Sequence, residues 1–431
     1  MSSPARPRAA VVVTGTEVLT GRVKDANGGW LADRFREAGV EIGTVVVVGD
    51  RPEDLHAALS WLTPTHALVV TTGGLGPTAD DLTAEVVGAH QGRPLEPDEG
   101  LRTRVQARID AVTARNGWSL DPAAAAEGAR KQSLVPRGAT VIEPVGTAPG
   151  LVVPPARGTG APVLVLPGPP GELQGMWPLA VLDPHVAAVL DAGVPLVQER
   201  LRLWGTLESD LAALLRRLED APGSRLSAVE LTTCIDDVGE LEVVGRFSPD
   251  DADAWHALVD AVADEFGATL FSPDGRSLDA LLAEALRSAG ATVATAESCT
   301  AGMLASRLAD LPGSSDYLQG GFVVYANEVK RDQVGVPEEV LAEHGAVSAE
   351  VARALADGAR TRLGTTWGVG ITGVAGPGGG TPEKPVGLVH VCLTSEDVVL
   401  AEALHLRGPR ERVRRRTVVT VMHRLLAQLR G

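Results

Sequence analysis

The sequence contains few cysteines and few aromatic residues. The three cysteines, Cys234, Cys299 and Cys392, lie far apart and do not have the spacing of metal ligands, which favours a reducing compartment. Aromatic residues make up 3% of the chain, whereas hydrophobic residues as a whole make up 44%, and there are 49 glycines and 29 prolines. This composition is ample for burial and predicts α/β architecture with many short connections.

The chain also lacks a surplus of positive charge and long apolar runs. Its formal net charge is −16, which repels polyanions, so we expect no nucleic acid and no membrane as a partner of the whole chain. No apolar stretch reaches the roughly 18–20 residues of a membrane span, and the segment after Met1 has no signal-type apolar core. A cytoplasmic protein is therefore expected. A small anionic nucleotide would need only a local positive pocket.

The amino-terminal part alternates short apolar strands with helical segments. Since 431 residues exceed what one hydrophobic core supports, we expect two or three domains, the first with a doubly wound parallel sheet. Ligands of such sheets collect beyond the carboxyl ends of the strands, where Glu17, the glycines of 73–76 and the pair Asp80 and Asp81 are expected. Glycine amides can approach phosphates and paired carboxylates can hold a divalent metal. Asp80 and Asp81 are equally good caps for the helix that follows.

The pattern changes from Glu199 onward. An alternating strand, an amphipathic helix, two strands joined at residues 236–240 and a second helix predict a small α+β unit. We interpret this unit as a spacer or a dimerisation module.

The stretch TAESCTAG, residues 295–302, predicts a nucleophile turn. It lies between a short β-branched strand and a segment with helical spacing of leucines, so Ser298 stands where a strand passes into a helix. The first amides of a helix lack internal partners, and we expect them to stabilise an oxyanion beside Ser298. The alternative is an ordinary helix cap. Cys299 is a rival nucleophile, because a helix amino end also lowers the pKa of a thiol.

Two further stretches supply groups that such a serine needs. Residues 320–330 predict a strand that carries Tyr325 and Lys330 to its carboxyl end, and a lysine can act as a base if burial lowers its pKa. Residues 370–385 form a strand end and a loop so rich in glycine that its amides could approach an anion.

These stretches resemble the carboxyl-terminal domain of the CinA (competence/damage-inducible) family, whose members include nicotinamide mononucleotide amidohydrolases. The resemblance rests on TAESCTAG, LPGSSDYLQGG, YANEVK, GAVS and TGVAGPGGG, and it covers the chain from about residue 277. It implies that Ser298 is the nucleophile, that Tyr325 and Lys330 handle the proton, and that the nucleotide is bound by Asn327, Thr372, Gly376 and Arg412. Ala301 departs from the family, in which glycine is more usual.

The amino-terminal motifs TGTEVLTG, TTGGLGPTADDLT, RKQSLVPRGA, GTAPG and LPGPPGE are similar to the first domain of the same family. That domain is similar to molybdopterin-binding proteins and is a metal-dependent ADP-ribose pyrophosphatase in some members. The resemblance implies phosphate binding by Gly73, Gly74, Gly76 and Lys131, and a divalent metal (Mg or Co) on Glu17, Asp80 and Asp81. Deamidation is expected to need no cofactor.

The expected architecture is therefore two doubly wound α/β domains, residues 1–175 and 272–431, flanking a KH-like α+β domain, residues 176–271. No GXXG loop follows the first helix of the middle domain, so the RNA-clamping feature of true KH domains is missing. We expect small nucleotides as substrates and a homodimer. The alternative function is a nucleotide- or molybdopterin-binding protein without catalysis, which acts in competence or the DNA-damage response through partners.

Overall fold

The computed structural model describes residues 6–158 and 160–431. The chain forms two compact units, Met1–Leu196 and Val197–Gly431. In the described part of the chain, no helix combines the length and the apolar character needed to cross a membrane.

The first unit contains a main sheet with helices on both faces and a separate pair of strands. The strands of the unit are β1 Arg8–Thr14, β2 Glu41–Val48, β3 Leu68–Thr72, β4 Leu95–Pro97, β5 Leu134–Pro136, β6 Thr140–Ile142, β7 Gly150–Val153 and β8 Val163–Leu166. The separate pair is β4 and β5. Its helices are α1 Thr16–Leu19, α2 Asn27–Glu37, α3 Pro52–Leu62, α4 Thr83–His90, α5 Glu99–Asn116, α6 Pro122–Gln132, α7 Pro170–Ala180 and α8 Pro184–Asp191.

The main sheet of this unit has the order β2-β1-β3-β8-β7-β6, with β1, β2, β3 and β8 parallel and the remaining pairs antiparallel. Side chains of β1 alternate between two cores: Ala10 and Val12 pack with one set of helices, Val11 with the other. The predicted doubly wound sheet is confirmed. Because its parallel strands end at the same edge, the loops after β1, β3 and β8 meet there.

The second unit begins with an antiparallel sheet in the order β10-β11-β9-β12. These elements are β9 Val197–Trp204, α9 Glu208–Glu219, β10 Glu230–Ile235, β11 Glu240–Phe247, α10 Ala252–Phe266 and β12 Leu270–Ser272. Short 3-10 turns cover Leu226–Ala228 and Pro249–Asp251. Trp255 of α10 is fully buried against the sheet, which gives this part the core expected of an α+β unit.

The remainder of the second unit holds a mixed sheet in the order β14-β13-β15-β16-β17. The pairs β13–β14 and β13–β15 are parallel, whereas β15–β16 and β16–β17 are antiparallel. The strands are β13 Val293–Glu297, β14 Leu318–Val323, β15 Trp367–Gly373, β16 Leu388–Thr394 and β17 Val399–His405. The helices are α11 Leu278–Ser288, α12 Met303–Ala309, α13 Asn327–Val334, α14 Glu338–His344, α15 Ala349–Leu363 and α16 Arg410–Arg430, with a 3-10 turn at Ser314–Asp316.

Helices pack on both faces of this sheet, so it too is doubly wound. Residues of α11, α12 and α16 share a core with one face, and residues of α13 and α15 share a core with the other. The helix ends follow from local sequence: Ser348 accepts a hydrogen bond from Val351 N at 3.2 Å at the start of α15, and Gly364 ends it with a φ of 61°.

The predicted domain boundaries differ in detail from these elements. The boundary at 175–176 falls inside α7, and Met176 is buried in the same core as Leu31 and Phe35. The boundary at 271–272 falls inside β12, which pairs with β9. Met176 therefore continues α7, and Ser272 continues β12. The division into three domains remains a prediction.

Candidate functional site

Ser298 directly follows β13, at the carboxyl edge of the second unit's parallel strands. Its amide donates a hydrogen bond to Ile371 O at 2.9 Å, and the residue is 9% exposed. The chain then turns through Ala301, with a φ of 52°, and Gly302, with a φ of 85°, into α12. The strand-to-helix turn predicted from the sequence is therefore present.

Glu297, the last residue of β13, is fully buried and was not singled out from the sequence. Its carboxylate accepts hydrogen bonds from the amides of Leu304 (3.1 Å) and Ala305 (2.9 Å) and from Thr295 Oγ1 (3.2 Å). Two of the first amides of α12 are therefore occupied, so they are unable to serve an oxyanion as predicted. A carboxylate at the end of an otherwise apolar strand was the signal that could have revealed this cap.

Other amides in the same turn have no such partner. In the described residues, the amides of Cys299 and Thr300 donate to no backbone carbonyl. Cys299 itself is 4% exposed, and burial raises the pKa of its thiol to about 11, against the opposing effect of Arg414 and Arg410. A thiol in this state is protonated at neutral pH, which disfavours Cys299 as the nucleophile.

Lys330 lies in α13 rather than at a strand end, and it is 1% exposed. Its Nζ donates a hydrogen bond to Tyr325 O at 2.9 Å. Burial lowers the pKa of Lys330, while negative charge on Cys299 or Glu328 acts in the opposite direction. Burial and the backbone carbonyl of Tyr325 therefore enclose the ammonium. Within the described part of the chain, no hydrogen bond joins Ser298 Oγ to Lys330 or to Tyr325.

Tyr325 is 55% exposed, and an arginine fixes its hydroxyl. Arg410 donates through Nη2 to Tyr325 Oη at 2.8 Å and through Nη1 to Gly376 O at 2.9 Å. Arg414, one turn further along α16, donates through Nη2 to Thr300 O at 2.8 Å. These contacts place two guanidinium groups beside the Ser298 turn, and they provide the local positive charge that the net-negative chain was expected to need.

The structure does not bring Arg412 to this site. Its Nε donates to Asp237 O at 3.0 Å, on the other side of α16. With 3.6 residues per turn, positions 410 and 414 share one face of the helix and position 412 faces the opposite way. The spacing of four between Arg410 and Arg414 was the signal that the sequence analysis missed.

The other predicted nucleotide-binding residues differ in their exposure and in whether their polar groups already form hydrogen bonds. Thr372 is 1% exposed, and its Oγ1 donates to Ala346 O at 2.6 Å, so the hydroxyl is already used inside the fold. Asn327 is exposed at the start of α13, two residues beyond Tyr325. Gly376 is buried, and its carbonyl accepts the bond from Arg410.

The first unit contains a cleft of about 320 Å³ at the carboxyl edge of its sheet, beyond the ends of β1, β3 and β8. The predicted residues Glu17, Gly73, Gly74, Gly76, Asp80 and Asp81 all line it. Lys131 lines an adjoining pocket that shares Gly74, Gly76 and Asp81 with the cleft. Most of the lining was therefore expected from the sequence, including the LPGPPGE turn that carries Glu172, whereas the carboxylate of Asp50 was not.

Gly73 and Gly74 have the backbone conformation that favours glycine. Their φ angles are 107° and 65°. An added Cβ would lie 2.6 Å from Thr14 O at Gly73 and 2.2 Å from Thr83 Oγ1 at Gly74. Bare backbone is therefore required where β3 enters the cleft.

The carboxylates of Asp80 and Asp81 are both held by Thr78. Thr78 Oγ1 lies 2.5 Å from a carboxylate oxygen of each and shares its one proton between them, and Thr78 N donates to Asp81 Oδ2 at 2.8 Å. The hydrogen bond from the Thr78 hydroxyl is the main reason that the pKa of Asp80 is lowered. The positive charge of Lys131, whose Nζ donates to Thr78 O, lowers it further.

The three predicted metal ligands line one cleft but do not form a ready-made ligand set. Among the described residues, no group of three or more His, Cys, Asp or Glu side chains is arranged to hold a metal ion. The reason is local: Thr78 binds Asp80 and Asp81, whereas Glu17 lies over Gly15, where an added Cβ would be 2.9 Å from its Oε1. Chemically, hard carboxylate oxygens still suit Mg²⁺, which commonly takes only one or two carboxylates together with substrate phosphates.

Two family models match separate parts of the chain. The family model described as "CinA C-terminal domain" matches residues 275–429, and the one described as "Probable molybdopterin binding domain" matches residues 10–187. A CinA-like protein of Mycolicibacterium gilvum is 49% identical over 427 residues, which cover 98% of this chain and 99% of the relative. A CinA-like protein of Mycobacterium tuberculosis is 46% identical over 431 residues, which cover 98% of each chain.

Among solved structures, the competence/damage inducible protein CihA of Agrobacterium tumefaciens is 40% identical with a TM-score of 0.35, and the match covers 36% of this chain and 96% of that one. The full-length relatives decide the assignment, since they match along nearly the entire sequence. The chain belongs to the family of CinA-like proteins.

Proposed function

We propose that the second unit is a serine amidohydrolase that converts nicotinamide mononucleotide to nicotinate mononucleotide and ammonia. The observation that carries this proposal is the surroundings of the Ser298 turn: the buried Lys330 lies near enough to Cys299 for that residue to affect its pKa, and Arg414 of α16 donates to Thr300 O. A nucleophile, a base with lowered pKa and a positive pocket are what amide hydrolysis of an anionic nucleotide requires.

In the first half-reaction, Ser298 Oγ attacks the carboxamide carbon and its proton passes to the neutral amine of Lys330. The negative charge that develops on the carboxamide oxygen is stabilised by the amides of Cys299 and Thr300, which have no backbone acceptor in the described residues. The C–N bond then breaks, the proton goes to the leaving nitrogen, and ammonia departs. Tyr325, held by Arg410, anchors the proton path.

The second half-reaction uses water. Lys330 accepts a proton from the water molecule, whose oxygen attacks the acyl carbon of the ester on Ser298. The ester C–O bond breaks, Ser298 Oγ regains a proton, and nicotinate mononucleotide leaves as a carboxylate. No metal enters either step.

Arg410 and Arg414 are proposed to bind the substrate phosphate, because a guanidinium matches phosphate oxygens with two parallel hydrogen bonds. The test is to compare ammonia release from nicotinamide mononucleotide with release from nicotinamide riboside, which lacks the phosphate. We expect kcat/KM for the riboside to be lower by about 100-fold, equivalent to about 2.7 kcal/mol. If neither compound releases ammonia, the proposal is wrong and a binding function without catalysis is favoured.

A second function is proposed for the first unit, because its cleft joins glycine backbone to carboxylates. We propose that it hydrolyses the diphosphate of ADP-ribose to AMP and ribose 5-phosphate, with a divalent metal bound by Asp80 and Asp81, aided by Glu17 and by the oxygens of the substrate. The metal would neutralise charge on the diphosphate. Gly73, Gly74, Gly76 and Lys131 would position the phosphates.

A further inference from the structure

The hairpin loop between β10 and β11, residues 236–240, is rigidly built. Asp236 Oδ1 accepts hydrogen bonds from the amides of Val238 (3.0 Å), Gly239 (2.7 Å) and Glu240 (2.9 Å). Gly239 has a φ of 96°, which suits this tight turn. Such a loop presents its outer atoms in one fixed arrangement.

This loop contacts α16 over about three helical turns. Asp237 accepts a hydrogen bond from Arg412 through its carbonyl (3.0 Å) and forms an ion pair with Arg415 through Oδ2 (2.7 Å). Val238 is 6% exposed and belongs to the hydrophobic core that contains α16. Further along, Glu240 Oε1 lies 3.0 Å from His423 Nε2.

The two ends of the contact between the hairpin loop and α16 differ in burial. The buried end stabilises the packing of the helix, and the exposed end sets its orientation. His423 is buried, stacks on Trp204 at 4.2 Å between ring centroids and meets Phe271 edge-on at 4.7 Å, so this end holds the helix to the antiparallel sheet. The pair of Asp237 and Arg415 is about half exposed on each side, and exposed pairs contribute little to stability. Its contribution is therefore to the orientation of the first turns of α16.

Those same turns carry the site arginines on their opposite face. Arg410 bonds Tyr325 Oη and Gly376 O, and Arg414 bonds Thr300 O. Arg412 and Arg415 point to the hairpin loop, so the start of α16 is held from both sides.

We propose that the 236–240 loop is a positioning element for Arg410 and Arg414, with Asp237 as its key residue, and so sets the affinity of the active site for an anionic substrate. This inference rests on the proposed deamidase function. It gives the α+β part of the chain a role in substrate binding that a spacer would not have.

The test uses the full chain and charge reversal. Asp237→Arg and Arg415→Glu each remove the ion pair, and the double variant restores it with reversed polarity. Each single variant should raise KM for nicotinamide mononucleotide about five-fold with kcat changed by less than about two-fold, and the double variant should recover most of the loss. Asp260→Arg, the same charge change on the exposed face of α10, is the matched control and should leave KM unchanged.

A purely structural role predicts a different pattern. In that case the single variants would lower the melting temperature and leave KM within about two-fold of wild type, which overturns the inference. A double variant no better than the singles would also overturn it.

Failure of the proposed function is seen separately, since the wild-type chain would then release no ammonia. Amide hydrogen exchange of residues 410–416 then tests the positioning role alone: faster exchange in both single variants with recovery in the double variant supports that role, and unchanged exchange overturns it.

Discussion

Burial shifts the pKa of two side chains near the Ser298 turn, Cys299 and Lys330. The Cys299 thiol has its pKa raised to about 11 by burial, so it stays protonated at neutral pH. The Lys330 ammonium has its pKa lowered by burial, so a larger fraction of it is neutral and able to accept a proton. In the proposed mechanism, burial therefore disfavours Cys299 as a nucleophile and favours Lys330 as a base.

The first prediction concerns the pH dependence of deamidation. In the proposed mechanism the neutral amine of Lys330 is the active form, so kcat should rise with pH through an apparent pKa below the ordinary lysine value of about 10.4. Lys330→Met should abolish this rise of kcat with pH, together with most of the activity. Lys330→Arg should fail to restore it, because a guanidinium does not lose its proton in this range. A Lys330→Arg enzyme of near wild-type rate would show that only positive charge is needed.

The same pKa shift also affects stability. The pKa of Lys330 is lower in the folded chain than in the unfolded chain, so the unfolded chain binds the proton more readily. At pH values below the pKa of the folded state, the charged lysine therefore lowers the free energy of unfolding. The contribution fades as pH rises towards the ordinary lysine value. Lys330→Met should therefore raise the free energy of unfolding at pH 7, measured by urea denaturation, which also verifies that the inactive variant is folded.

Among elements, α12 depends on a buried carboxylate at its amino end. Glu297→Ala would leave the amides of Leu304 and Ala305 without an acceptor, so we predict a loss of about 3 kcal/mol in the free energy of unfolding. Glu402→Ala, which removes an ion pair with Arg424 that is about one-third exposed, is the control and should cost about 1 kcal/mol or less. Equal effects of the two substitutions would contradict the role given to Glu297.

The turn before α12 carries strain at Ala301, which is the non-glycine residue with positive φ in the described part of the chain. A left-handed conformation costs a residue with a Cβ about 1–2 kcal/mol. Glycine relieves this but costs about 0.5–1 kcal/mol in backbone entropy, so Ala301→Gly should stabilise the protein by about 0.5–1 kcal/mol net. A decrease in the urea midpoint would show that the methyl group packs favourably enough to outweigh the strain.

Element type and order could be predicted from the sequence because periodicity and glycine positions report local preferences. The β13 turn, the doubly wound sheets and the small α+β unit followed from such patterns. The direction of a side chain did not: the resemblance implied Arg412, whereas the pitch of α16 directs Arg410 and Arg414 to the site and Arg412 to Asp237 O. The two amides capped by Glu297 were likewise hidden, since a tertiary contact of a strand residue decides their availability.

At the scale of the whole molecule, each unit is proposed to carry one chemistry. We predict that a chelator abolishes ADP-ribose hydrolysis but leaves deamidation unchanged, because Ser298 and Lys330 need no metal. Asp81→Ala should abolish only the first activity. Thr78→Val, which removes the hydroxyl that binds Asp80 and Asp81 and leaves both carboxylates, should retain it. Deamidation that is lost with the chelator would contradict the division.

Ammonia release by the full chain distinguishes Ser298 from Cys299 as the nucleophile. With nicotinamide mononucleotide as substrate, we predict that Ser298→Ala loses at least about 1,000-fold in kcat, as removal of a nucleophile does. Cys299→Ala should stay within about three-fold of wild type, because its buried, protonated thiol takes no part. An inactive Cys299→Ala enzyme beside an active Ser298→Ala enzyme would contradict the account.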